Sequence, residues 1–152
     1  MPKASVKRLI ECKKDDLIKL VLDIDKYPEF VPFCFDAKVY ENKNEGYLTK
    51  IIADLTIGKG PFKDTYKSDV VFDKNKDAIF VKNIEGPLNH LSNIWTFTDK
   101  KNGITEITFD IDFEIKNKFL NSLMVVSFQF GLEKIADAFQ RRAEELFGSS
   151  KK

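Results

Sequence analysis

Few side chains in this sequence could carry chemistry. Nucleophilic or acid–base catalysis needs a nucleophile beside a base, and His90 is the only histidine in 152 residues. It follows the turn-forming Gly86-Pro87, and no Gly-x-Ser-x-Gly elbow occurs, so His90 reads as a structural strand residue. Asp110, Asp112 and Glu114 are the nearest approach to paired carboxylates. Their spacing puts them on one side of a strand whose other side is apolar, which reads as a solvated face. Cys12 and Cys34 have no zinc-ligand spacing with His90 and are too few for a disulfide framework. They read as free thiols of a reducing compartment. Neither catalytic residues nor a metal centre are expected.

What the sequence has in quantity is apolar aromatic area. It holds 14 Phe against 4 Tyr and 1 Trp, and Phe brings large surface without a polar handle. Such a chain builds either a thick core or the wall of an apolar cavity. The candidate wall residues are Tyr27, Phe30, Phe33, Trp95, Phe97, Phe109, Phe113, Phe128 and Leu132; the competing reading is that the same stripe is simply core. Gly131 adds a local signal, because a glycine inside a helix costs about 1 kcal/mol relative to alanine. It points to a strand or ligand approaching closely, or equally to tight packing of helix on sheet.

The elements that must position these residues follow from periodicity. The length fits one domain, residues 1–152, and the formal charge of +1 gives no general attraction for nucleic acid. No apolar run approaches the roughly 20 residues of a membrane span, and Met1-Pro2-Lys3-Ala4-Ser5 does not resemble a signal sequence. Residues 4–12 alternate as a strand. Asp15 and Asp16 open a helix carrying Leu17, Leu20, Val21 and Ile24, expected to stop before Pro28. Tyr27-Pro28-Glu29-Phe30-Val31-Pro32-Phe33-Cys34 is a stiff aromatic connector, neither regular helix nor regular strand.

Strands are then expected over 35–41, 47–57, 62–72, 78–85, 88–98 and 105–115, separated by turn-like runs such as Asn42-Lys43-Asn44-Glu45-Gly46. The last is the clearest: Ile107, Phe109, Ile111, Phe113 and Ile115 alternate with polar residues. From Lys118 to Phe147 the period becomes helical, with Leu132, Ile135, Ala136, Phe139, Ala143 and Leu146 on one stripe and an apolar first half from Phe119 to Phe130. A helix of that length spans about 45 Å, and Gly148-Ser149-Ser150 should end it. The simplest way to bury both stripe and sheet face is an α+β fold, a curved antiparallel sheet wrapped around the C-terminal helix. A gap left between them would be an apolar pocket.

The connector resembles the YPEFLPWC signature of the coenzyme Q-binding branch of the START-like polyketide cyclase/dehydrase proteins. Leu55-Thr56-Ile57-Gly58-Lys59-Gly60, Gly86-Pro87-Leu88-Asn89-His90-Leu91, Phe109-Asp110-Ile111-Asp112-Phe113-Glu114 and Ala138-Phe139-Gln140-Arg141-Arg142-Ala143 are similar to further elements of that family, in order and over nearly the whole chain. The chain departs at Phe33, where Trp is usual, and at Leu88, where Phe is usual. The resemblance implies the helix-grip fold: seven antiparallel strands around a long C-terminal helix. It also implies binding of ubiquinone or a similar polyprenyl lipid by a non-enzymatic carrier that supports respiration. Bacterial relatives named ribosome-association toxins imply the alternative of a translation inhibitor on the large ribosomal subunit, and the cyclase name implies a third, an enzyme.

For a quinone, Tyr27, Asn93 or Lys50 would supply the polar group met by the ring carbonyls. The apolar start of the last helix and the Gly58–Phe62 turn, with Lys59 and Lys63, would form a membrane-docking edge. The expected setting is a bacterial cytoplasm, with peripheral contact at the inner membrane.

Overall fold

The structure, a computed structural model, describes residues 3–59 and 61–147, without the side chains of residues 59, 62, 120 and 123–127. Its elements are β1 (Lys3–Ile10), α1 (Lys14–Leu22), β2 (Cys34–Glu45), β3 (Leu48–Lys59), β4 (Phe62–Asp73), β5 (Ala78–Glu85), β6 (Leu88–Asp99), β7 (Thr105–Ile115) and α2 (Lys118–Phe147). The expected helix stop at Gly148-Ser149-Ser150, the turn residue Gly60, and the side chains of Lys59, Leu120, Leu123, Met124, Val125 and Val126 lie outside the described residues.

The strands form one antiparallel sheet in the order β1-β7-β6-β5-β4-β3-β2. β2 to β7 are a meander, and β1 closes on the last strand. The fold is the helix-grip that the resemblance implied, seven antiparallel strands and a long C-terminal helix. Register places Val6, Phe109, Trp95, Ile79 and Phe72 in one row across the concave face. That row packs against Leu132, Ala136, Phe139 and Ala143 of α2 and Leu17 and Val21 of α1. Each of the large apolar side chains among them contributes roughly 1.5–3 kcal/mol by leaving water. At the margin, Arg8 of β1 is ion-paired to Asp137 of α2 at 2.9 Å.

Two elements differ from expectation. Helix α1 ends at Leu22, short of Pro28, because the Asp23 N–H reaches back to the Lys19 and Leu20 carbonyls at 3.1 and 3.3 Å and tightens the last turn. The chain continues as a 3-10 helix, Ile24–Glu29, with Pro28 inside it. Pro28 is tolerated because the next donors, Phe30 and Val31 N–H, both reach the Tyr27 carbonyl. Strand β2 runs on through the turn-like Asn42–Glu45, where pairing with Leu48–Ile51 overrides local preference. This edge strand carries two register shifts and a polar outer half, both of which discourage pairing with another chain. Among the described residues, no helix is long and apolar enough to cross a membrane.

Candidate ligand-binding site

The interior of the grip has two parts. Around the second half of α2 it is closed by aromatic rings. Trp95 of β6 lies opposite Phe109 of β7, and their rings stack at 4.2 Å and 10°. Phe139 of α2 meets Trp95, Tyr27 and Phe30 edge-on, with centroids 5.0, 5.4 and 5.1 Å apart. Phe97 and Leu132 belong to the same packed cluster. Trp95, Phe97, Phe109 and Leu132 thus belong to one packed cluster with Tyr27 and Phe30 against it, and Phe139 joins Trp95, Tyr27 and Phe30. The helical stripe had marked Phe139 as inward but not as the hub.

Phe33, Phe113 and Phe128 lie against the first half of α2. The Phe113 and Phe128 rings lie 4.5 Å apart, and the Phe33 ring edge lies 3.8 Å from the point where a side chain on Gly131 would begin. Phe113, Leu91 and Cys34 are buried, and among the described residues none is part of the packed cluster around Phe139. A methyl on Gly131 would make only ordinary contact with Phe33. Neither a strand nor helix packing among the described residues requires the glycine.

The connector is held to this end by backbone. Phe33 adopts φ 69°, a left-handed conformation uncommon for a bulky residue, while its carbonyl accepts from the Gly58 N–H at 3.0 Å. On the outer side Arg142 pairs with Glu29 at 2.7 Å and covers the Phe30 ring at 5.0 Å. The outside of the connector, Pro28 to Pro32, forms one wall of an open groove of about 580 Å³ against Lys134 and Arg141.

The three polar groups expected to meet a quinone head group are all engaged or misplaced. The Tyr27 hydroxyl donates to the Val21 carbonyl at the end of α1. Asn93 donates to the Asp110 carbonyl at 3.0 Å and accepts from Trp95 Nε1 at 3.1 Å. Lys50 is exposed and paired with Glu45 at 3.2 Å. Sequence could not show these partners, because three of the four come from other elements.

Tyr66 of β4, outside the expected set of wall residues, is half-buried. Its signal was the two-residue spacing Tyr66, Ser68, Val70, Phe72, which puts it on the concave face with buried Ser68 and Val70. Burial raises both phenols, Tyr27 and Tyr66, above their ordinary range, with the neighbouring Tyr66 adding to Tyr27. It pushes the Cys34 thiol up to about 11. All three are neutral at physiological pH.

The carboxylates differ in exposure, and Asp112 Oδ1 is buried with no hydrogen-bond partner among the described residues. Asp110 is exposed and Asp112 half-exposed on the convex face, with Asp112 Oδ2 3.7 Å from His90 Nε2. Among the described residues, no group of three His, Cys, Asp or Glu side chains could hold a metal ion. Both cysteines are free thiols.

A family model described as polyketide cyclase/dehydrase and lipid transport matches residues 10–140. The chain is 30% identical over 142 residues to the ribosome association toxin RatA of Rickettsia prowazekii, covering 91% of this chain and 94% of that one. It is 30% identical over 140 residues to the mitochondrial coenzyme Q-binding protein COQ10 of Dictyostelium discoideum, covering 90% of this chain and 66% of the relative. An 18 kDa protein of Caulobacter crescentus has the same fold, with a TM-score of 0.79 at 26% identity over 96% of this chain and 98% of the other. In its sequence from Ile10 to Gln140, as in the sheet that grips α2, the chain belongs to the polyketide cyclase/dehydrase and lipid transport family.

Proposed function

We propose that this protein binds ubiquinone or a similar polyprenyl lipid between the sheet and the first half of α2, and carries it, without chemical turnover, in support of respiratory electron transport. The observation that supports this is the division of the interior. The ring cluster around Phe139 closes one end, while Leu91 and Phe113, which are buried, and Phe33 and Phe128, which are half-buried, add apolar side chains that, among the described residues, lie outside that cluster. A polyprenyl tail is held out of water at roughly 0.8 kcal/mol per CH₂, so a carrier needs enclosed apolar surface and few polar groups. The likeness to a coenzyme Q-binding protein over 90% of the chain supports the quinone in particular.

The same end carries a rim suited to a lipid surface. Phe35, Ile57, Ile84 and Phe119 are exposed, Phe119 by 68%. Strand register and the Lys116–Pro87 backbone bond bring their elements to one edge of the sheet. Lys63 sits 3.9 Å above the Phe35 ring, and Lys116 and Lys118 are exposed beside Phe119. Asp36, Asp64 and Glu85 share the rim, Glu85 already paired with Lys67 at 3.5 Å. Apolar side chains flanked by lysines fit an anionic bilayer, onto which the lipid would pass.

A second reading, a translation inhibitor on the large ribosomal subunit, is favoured by the likeness to a ribosome association toxin along 91% of the chain. Titration with a decyl-substituted benzoquinone separates the two, because Trp95 is the only tryptophan and sits in the interior. Saturable quenching of its fluorescence at one quinone per chain is expected. No quenching, together with co-sedimentation with large ribosomal subunits, would overturn the carrier reading.

A further inference from the structure

We infer that the open groove between the connector and the outer face of α2 docks an extended peptide of a partner protein, whose two carboxylates, three residues apart, meet Lys134 and Arg141. The groove measures about 580 Å³, and Val31, Pro32 and Ala138 give it an apolar lining. Two acids, Glu29 and Asp137, and two bases, Lys134 and Arg141, stand on its walls. The acids are already matched: Glu29 pairs with Arg142 at 2.7 Å and Asp137 with Arg8 at 2.9 Å. The bases are not. Both are exposed, and neither forms an ion pair with a described residue. Lys134 instead sits 4.7 Å above the ring of Phe130, itself 65% exposed one turn earlier on the same face of α2.

The two walls divide the work. On the connector side, the Phe30 and Val31 N–H groups are both spent on the Tyr27 carbonyl, and Pro32 has none. That wall offers a partner apolar contact and no free amide donor over these residues, so the groups that can hold an anion stand on α2. The wall is also fixed in place: Tyr27 and Phe30 meet Phe139 edge-on beneath it, and Arg142 covers the Phe30 ring. A groove formed in advance lowers the ordering cost of binding. Seven residues of helix set Lys134 and Arg141 about 10 Å apart along α2. In polyproline II geometry, side chains three residues apart share a face at about 9 Å; same-face side chains of a β-strand stand roughly 7 or 13 Å apart. A peptide of the first kind can place one carboxylate on each base while the residues between them lie on Val31, Pro32 and Ala138. Nucleic acid fits less well, because two free bases neutralise at most two phosphates and its affinity grows with each one neutralised.

The test is an NMR titration of the isotopically labelled full chain with two capped peptides, Asp-Pro-Leu-Asp and Asn-Pro-Leu-Asn, which differ only in charge. The acidic peptide should shift the amides of the connector and of Phe130 to Arg141 saturably, and bind about tenfold more tightly than its amide counterpart. Lys134→Glu combined with Arg141→Glu should abolish that preference and bind a capped Lys-Pro-Leu-Lys peptide instead. Both side chains are exposed, so this variant should keep the wild-type melting temperature. Equal or absent binding of the two peptides by the wild type overturns the inference without any variant. So do shifts confined to other surfaces. Tighter binding of polyuridylate through the same amides would give the groove to nucleic acid, and the same shifts on concentrating the protein alone would give it to a second copy; either overturns the peptide assignment.

Discussion

Trp95→Ala separates a packed core from a yielding wall. Trp95 is 6% exposed, stacks on Phe109, meets Phe139 edge-on and donates to Asn93. Truncating a buried Trp costs about 3–5 kcal/mol in transfer and cavity terms. Losing the Nε1 bond adds about 1 kcal/mol and leaves the Asn93 oxygen unmatched. Against a typical domain stability of roughly 5–15 kcal/mol, that is a large fraction. At about 2–4 °C per kcal/mol for a chain this size, the melting temperature should fall by roughly 10–20 °C. Phe128→Ala, half-buried and in a single tilted ring pair with Phe113, should cost only about 1–2 kcal/mol. It should instead weaken lipid binding. Thermal melts followed by circular dichroism, with quinone titrations on the folded variants, read both quantities. If Trp95→Ala melts within about 3 °C of the wild type, or if Phe128→Ala is as destabilising as Trp95→Ala, the two-part interior is wrong.

Gly86→Ala should lower stability by more than about 2 kcal/mol, since φ +134° and a 2.8 Å approach to Tyr66 both exclude a side chain. Gly131→Ala should raise it by about 0.5–1 kcal/mol, since the methyl finds only Phe33 at 3.8 Å; urea unfolding reads both. Stability should be level from neutral pH to about pH 9 and fall above it. The unfolded chain releases the Cys34 proton from its ordinary value of 9.0, while the native thiol holds it to about 11. The native state then binds more protons, so stability drops with rising pH at roughly 1.4 kcal/mol per pH unit. Tyr27 and Tyr66 steepen the fall above pH 10.0. Unfolding curves that stay level from pH 8 to 11 would contradict this assignment of the buried groups. Reversing Lys63, Lys116 and Lys118 to Glu should weaken co-sedimentation with phosphatidylglycerol vesicles by about a hundredfold at low salt. Undiminished binding would place the lipid-facing surface elsewhere.

Much of the architecture can be read from residue order. In β7 the alternation from Ile107 to Ile115 reports a sheet with one wet face, and the unbroken run Lys118–Phe147 reports the helix it grips. What cannot be read is set by partners distant in sequence. Asn42–Glu45 looks like a turn until Leu48–Ile51 pairs with it. Trp95, Phe97 and Phe109 read correctly as inward. That they lie in the closed half depends on where Phe139 reaches from another element. Tyr27 and Asn93 look available in the sequence, and lose that availability to Val21, Asp110 and Trp95.

The central claim is that the grip holds a lipid. It is tested most directly by purifying the full chain from its native host in detergent-free buffer, then measuring the organic extract by mass spectrometry against protein concentration. About one polyprenyl quinone or similar lipid per chain is predicted from an interior left apolar at one end. An extract free of such lipid, from protein that also fails to take up added quinone, would contradict the account.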